Sequence, residues 1–231
     1  GGYVSGPLLD SLDGRLAVQQ YKSDGYVDNR YLNRDDTNNF DELTARGKLH
    51  WQPNDATAVD ATGGYIDVDN GYDAFSLDNV RDTISDQPGK DSQKSRFGSI
   101  VTTLSQPRNF QIETILAHAD SDIEYGYDED WTFVGFDPNG YSSTDLYERD
   151  WKTTSAEVRL VSNEQGRVLG GSTDWVVGVY GLKQDADLHR VYTFRVPDFA
   201  SSLEFQRAAL FGQTETALSP ITTLTLGLRV E

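Results

Sequence analysis

The segment Leu224-Thr225-Leu226-Gly227-Leu228-Arg229-Val230 alternates between large apolar residues and polar or small ones. A period of two places successive side chains on opposite faces of a strand, so this one has a greasy face and a polar face. The pattern recurs upstream. Leu43, Ala45, Gly47, Leu49 and Trp51 alternate with Thr44, Arg46, Lys48, His50 and Gln52, and Ala156, Val158 and Leu160 alternate with Ser155, Glu157 and Arg159. A face that carries Glu and Arg on one strand meets water or other polar groups. A soluble sandwich also alternates, but its apolar faces must interlock across two sheets, and here the apolar positions are diluted with Ala and Gly.

The connections between the alternating segments separate these possibilities. Leu9 to Gly14, Gln52 to Ala56, Ser105 to Asn109 and Leu218 to Pro220 are short and rich in turn formers, and 163–173 is only somewhat longer. Between them lie long connections, at Ser23–Glu42, Asp69–Lys94, Asp122–Asp150 and Asp185–Glu204. Strict alternation puts every short turn at one end of the sheet and every long loop at the other, as in outer-membrane barrels. The fold predicted is therefore all-β, an antiparallel transmembrane β-barrel wall of about ten strands occupying residues 1–231 as one domain. The hairpins recur without an exact internal repeat, and no helix signal accompanies them.

Composition is compatible with that reading and excludes others. With 37% hydrophobic residues and a mean hydropathy of −0.56, no stretch approaches the roughly 18 uninterrupted apolar residues of a spanning helix. A spanning strand needs apolar residues only at alternate positions. The chain has no Cys, hence no disulfide framework, thiolate site or cysteine nucleophile. A net charge of −17 without any basic run argues against a nucleic-acid partner. Ten Asp or Glu and one Arg fall between Asp120 and Asp150, a concentration that reads as a solvated loop.

Several segments, taken in order, resemble the barrel of TonB-dependent outer-membrane receptors of the siderophore-receptor type. They are Gly14-Arg15-Leu16-Ala17-Val18, Ser23-Asp24-Gly25-Tyr26, Leu43 to Leu49, Asn70-Gly71-Tyr72-Asp73-Ala74-Phe75-Ser76-Leu77-Asp78-Asn79, Glu157 to Ser162, Asp174-Trp175-Val176-Val177-Gly178 and Leu210-Phe211-Gly212-Gln213, leading to Leu226-Gly227-Leu228-Arg229. The resemblance implies a 22-stranded barrel closed by a plug, an outer-membrane location in a Gram-negative bacterium, and energy-coupled uptake of a scarce ligand, most typically a ferric siderophore. The implied partners are outer-membrane lipid, a small-molecule ligand such as an iron chelate, and an inner-membrane energy-coupling protein reached through the plug. Neither a plug nor an energy-coupling box is recognisable here, and the final residues are Val230-Glu231 rather than an aromatic end. A fragment from the first half of the barrel is the expectation. A passive porin and a soluble all-β ligand-binding module remain the alternatives.

Candidate ligand-binding residues lie in the Asp122–Asp150 connection: Tyr125, Tyr127, Trp131, Phe133, Phe136 and Tyr141, with Tyr147 close by. Aromatic rings on such a loop can stack on a ligand, or they can pack the loop and its interfacial girdle. Arg46, Lys48, Arg159 and Arg229 are expected to face the lumen, where they would meet acidic groups of a plug, an anionic ligand, or carboxylates of the same face such as Glu157 and Glu215. His50, His118 and His189 lack metal-ligand spacing. No catalytic motif, cofactor site or metal site is predicted. Gly63-Gly64 and Gly170-Gly171 lack a phosphate-loop context, no nucleophile elbow is present, and any acid and base pair chosen from so acidic a chain would be arbitrary.

Overall fold

A computed structural model describes residues 1–105 and 109–231. Ten long strands form a single antiparallel sheet in chain order: β1 (Gly2–Leu9), β2 (Leu12–Ser23), β4 (Phe40–Asn54), β5 (Thr57–Tyr72), β7 (Gly89–Ser105), β8 (Phe110–Asp128), β9 (Thr144–Ser162), β10 (Thr173–Tyr192), β11 (Phe199–Ser219) and β12 (Thr222–Val230). Two-residue strands β3 (Asp28–Asn29) and β6 (Asp82–Thr83) pair in parallel between two loops. The only helical elements among the described residues are two short 3-10 turns, Glu164–Gly166 and Leu169–Gly171.

Each strand pairs with its sequence neighbour, and the registers carry the two faces continuously across the sheet. One face holds Leu16, Leu49, Ala61, Ile100, Leu116, Ala156, Val158, Val177, Val179, Leu210, Leu226 and Leu228. The other holds Arg15, Arg46, Lys48, Asp60, Glu113, Glu157, Arg159, Gln213 and Arg229. The direction of curl follows from exposure. In β9 Thr154, Ala156 and Val158 are exposed whereas Ser155, Glu157 and Arg159 are half-buried, so the polar face is concave and the apolar face convex.

The apolar band of the convex face covers about eight residues per strand, roughly 25 Å along the chain at 3.3 Å per residue. Trp51 and Trp175 stand on its turn-end margin and Tyr65 on its loop-end margin. Beyond it the same face turns charged, with Asp120, Asp122 and Glu124 on β8 and Lys94 and Arg96 on β7. Among the described residues only Val27 and Ala209 of the hydrophobic ones are buried, while Leu226 is 61% exposed and Leu228 74%. Leu and Val rows do not meet across two layers. This excludes the sandwich, whose stability would rest on an interlocked core.

On the concave face, two cross-strand pairs use glycine for close approach. Phe97 lies flat over Gly64 and Phe211 over Gly178, so that a methyl group at either glycine would fall inside the ring. An aromatic side chain thereby covers backbone that a glycine leaves bare.

Short connections lie at 10–11, 55–56 and 220–221, and 163–172 is somewhat longer; the turn expected at 106–108 lies outside the described residues. The loops at 24–39, 73–88, 129–143 and 193–198 occupy the other end. They are shorter than the sequence suggested, slightly at 24–39 and by more at the other three, because strands run into the expected connections. Of the ten acids between Asp120 and Asp150, seven lie in β8 or β9 and only Glu129, Asp130 and Asp137 in the loop. Acidic residues do not break these strands: Asp120, Asp122 and Glu124 alternate outward to solvent while Ile123 and Tyr125 occupy the sheltered face.

Candidate functional site

The loop end of the concave face gathers a cluster of aromatic residues. Tyr125 and Tyr127, expected in a loop, belong to β8 and point to the concave side, with Tyr147 of β9 directly opposite Tyr125. Tyr72 at the end of β5 meets Tyr125 edge-on at 5.0 Å between ring centroids. Phe75 leans in from its loop to contact Tyr72 and Tyr127, and stacks on Trp131 at 5.1 Å with the planes 11° apart. Trp131 itself sits at φ 60°, a left-handed conformation unusual for a bulky residue. The structure thus joins Tyr125, Tyr127 and Trp131 into one cluster through Tyr72 and Phe75.

The other three aromatic candidates fall elsewhere. Phe133 stacks on Tyr31 at 4.4 Å and meets Phe136 at 5.6 Å. Tyr141 meets Phe194 of the 193–198 loop at 5.4 Å, and Phe194 in turn contacts Tyr192. Phe136, Tyr141 and Phe194 are exposed at the loop tips.

Next to the first cluster is a polar centre that the sequence reading did not single out. Arg190 on β10 grips Asp145 on β9 through Nε at 2.7 Å and a terminal nitrogen at 2.6 Å. Tyr147 and Tyr127 donate their hydroxyls to the same carboxylate at 3.0 and 3.3 Å. The guanidinium lies 5.0 Å from the Tyr147 ring centroid and 5.1 Å from that of Tyr192, and Arg149 lies 5.2 Å from Tyr147. Burial pushes the Asp145 pKa up, but hydrogen bonds from Arg190 and Tyr147 outweigh it, and the net shift is downward. Tyr125 and Tyr127 are shifted upward, chiefly by burial. The centre is thus a fixed ion pair framed by neutral phenols. Its sequence signal was present: Leu188, Arg190 and Tyr192 share one face of a strand whose partner presents Asp145, Tyr147 and Arg149.

Three loops are locked together above these rings. Buried Asn29 donates to Asp73 Oδ2 at 2.7 Å and to the Ser85 carbonyl at 2.9 Å, and the Thr83 hydroxyl donates to the same Asp73 oxygen. Ser85 donates to Asp128 Oδ2 at 2.6 Å, and the 129–143 loop is tied back by Ser143 N–H to Asp130 and Val134 N–H to Asp86. Burial, with the neighbouring Asp130 carboxylate adding to it, pushes the Asp128 pKa up to about 7.

The four predicted lumen cations all stand on the concave face. Arg159 pairs with Glu113 at 2.6 Å and Glu157 at 3.6 Å, whereas Arg229 pairs with Glu231 and lies 5.2 Å over the Tyr180 ring. Arg46 and Lys48 have no carboxylate within 4 Å among the described residues. The histidines are engaged separately: His50 by Asp60, His118 by Thr154 on the convex face, and His189 by Glu148.

Among solved structures, the chain is similar to the ferric yersiniabactin uptake receptor FyuA from Yersinia pestis, with a TM-score of 0.78, 16% identity and coverage of 98% of this chain and 35% of that one. FpvA of P. aeruginosa, solved with heterologous pyoverdines, gives 0.69 at 16% identity over 99% and 34%. The copper transporter OprC gives 0.62 at 15% identity over 95% and 32%. The fold is that of the barrel wall of these uptake receptors and transporters. The chain spans about a third of the length of these structures. No protein-family model matches the sequence, and no curated protein matches it.

Proposed function

We propose that this chain forms part of the wall of an outer-membrane receptor that takes up a scarce ligand, an iron chelate of the siderophore type, with energy relayed from the inner membrane through a plug. The observation that carries this reading is the sidedness of the sheet. An apolar band faces outward with no protein to cover it, while a polar face with paired charges lines the concave side. Left in water, that apolar surface forgoes the roughly 25 cal/mol per Å² that burial contributes, whereas hydrocarbon supplies it.

At the loop end, Tyr125, Tyr127 and Trp131 with Tyr72, Tyr147 and Arg190 present flat rings and a cation to the lumen. Phe133, Phe136 and Tyr141 extend that aromatic surface outward along the loops. Such a surface suits a ligand with aromatic or anionic metal-binding groups, through stacking and cation–π contact. A passive porin would share the wall, but it has less need for three loops locked over an aromatic floor. A soluble module would need a core, which the wall lacks.

Separation of inner and outer membranes by density tests the location. The protein is expected in the outer-membrane fraction, with a folded form that migrates differently from the boiled one. Recovery as a monodisperse protein without detergent would refute membrane residence. The ligand class is tested by tryptophan fluorescence during titration with ferric catecholate, phenolate and hydroxamate chelates. Saturable quenching by at least one is expected, and flat titrations with all three would remove the siderophore assignment while leaving the barrel intact.

A further inference from the structure

We infer that one broad face of the Phe75 ring is a subsite for a planar aryl group of the ligand, and that Trp131 occupies this subsite in the free protein; the inference deepens the proposed receptor function and rests on it. Phe75 is the fixed member of the pair. Two residues before it, buried Asp73 accepts from Asn29 and from the Thr83 hydroxyl. The ring itself meets Tyr72 and Tyr127 at steep angles, 5.8 and 5.9 Å between centroids. Trp131 lies nearly parallel to it, with the planes 11° apart and the centroids 5.1 Å apart.

Trp131 is held there against its backbone preference. At φ 60° the Cβ of a bulky residue is crowded by its own main chain. The conformation persists because the loop is tied on both sides of it. Asp130 accepts from the Ser143 N–H and the Thr132 hydroxyl, and the Val134 N–H donates to Asp86. The indole is anchored less. It is 36% exposed, and its N–H makes no hydrogen bond among the described residues, whereas Trp175 donates its own to the Gly166 carbonyl at 2.9 Å.

A strained cover on a fixed platform is exchangeable. When the indole swings off Phe75, the Trp131 backbone is free to leave the left-handed region, and a planar ring of the ligand restores the stack that the indole gives up. The free protein is then partly closed against its own ligand, since apparent affinity falls with the fraction of molecules whose platform is open. Removing the cover therefore tightens binding. Removing a ring that merely touches the ligand does the opposite.

The test uses the protein as its gene encodes it, extracted from the membrane in mild detergent and titrated by calorimetry with the ferric complexes of catechol and of acetohydroxamate. Trp131→Gly, which suits the left-handed backbone, is expected to bind the catechol complex about threefold or more tighter than wild type, with no such gain for acetohydroxamate, which has no ring. Phe75→Leu is expected to weaken the catechol complex by about threefold or more. Leu77→Ala, exposed on the same loop, should leave the affinities unchanged. In fluorotryptophan-labelled protein, the resonance missing from Trp131→Gly should move when the diamagnetic gallium catechol complex is added. Catechol binding that is unchanged or weaker in Trp131→Gly, unchanged in Phe75→Leu, or absent throughout overturns the inference. Membrane fractionation and acetohydroxamate binding report on the receptor reading separately, and either can succeed while the inference fails.

Discussion

The strand wall and the loop cap of this molecule are stabilised in opposite ways. In the wall, below about Phe97, the large apolar side chains point outward and almost none is buried. In the cap, aromatic rings stack on one another, and the buried residues are mostly polar: Asn29, Asp73, Thr83, Ser85, Asp128 and Asp145. On the proposed reading, the wall leaves apolar burial to its surroundings, and its ten strands supply the hydrogen-bond ladder between them. The cap stands in water on that reading, and it encloses its own contacts and satisfies its buried polar groups internally, Thr37 Oγ1 and Asp86 Oδ1 excepted. One sequence thus answers to two solvents, and the boundary falls where the convex face changes from Leu, Ile and Val to Asp, Glu and Lys.

The sharpest way to break this contrast is to charge the wall. Leu226→Arg, within the apolar band, is expected to destabilise the membrane-inserted form by about 2 to 4 kcal/mol, read as a smaller folded, heat-modifiable fraction. Thr225→Arg, on the opposite face beside Glu215, should be much milder. Equal losses would remove the distinction between faces.

In the cap, Asp145→Asn leaves Arg190 without its buried counter-charge. A loss of about 1.5 to 3 kcal/mol is expected, the range for hydrogen bonds to charged groups, read as faster amide exchange around 144–149 and 188–192 with exchange in the wall unchanged. Exchange that rises uniformly along the sheet would show that the two regions are not separable.

A pH titration separates two acids of the cap. Asp128 has its folded pKa raised to about 7, so its contribution is fully present below the unfolded value, about 4, and is lost as pH rises through 7. After correction for intrinsic rates, the 73–88 loop should open more readily at pH 8 than at pH 5.5, and Asp128→Asn should abolish that difference. Asp145, whose pKa is lowered, contributes above about 4 and loses its contribution as pH falls through the folded value. The same pH profile in wild type and Asp128→Asn would rule out Asp128 as the cause. The smallest effect expected is on ligand affinity: Tyr147→Phe removes one hydroxyl donor to Asp145 and should cost the ferric chelate no more than about threefold, or roughly 0.6 kcal/mol.

Legibility in the sequence differed between the same two regions. The strands β4, β9 and β12 were readable because the period of two leaves an apolar residue at every second position, and the alternation of short and long connections placed the turns at one end. The loop boundaries are less legible because acid-rich composition points to a loop, although Asp120, Asp122 and Glu124 keep strand period with Ile123 and Tyr125. Within the candidate site, the chemistry of Tyr125, Tyr127 and Trp131 singles them out in the sequence, whereas nothing in the sequence alone, without the strand register, singles out Arg190, Asp145, Tyr72 and Phe75. Arg190 and Asp145 are 45 residues apart in sequence and meet only through the β9–β10 register.

By itself, the sequence determined that this chain makes strands with one apolar and one polar face, because side-chain period follows directly from backbone geometry. It also determined the order of the hairpins, since short turns leave consecutive strands no choice of neighbour. Only the tertiary structure decided which face is concave, which rings share a cluster and which cations go unpaired. Those outcomes depend on curvature and cross-strand register, which sum small twists over ten strands and are not encoded at any single position.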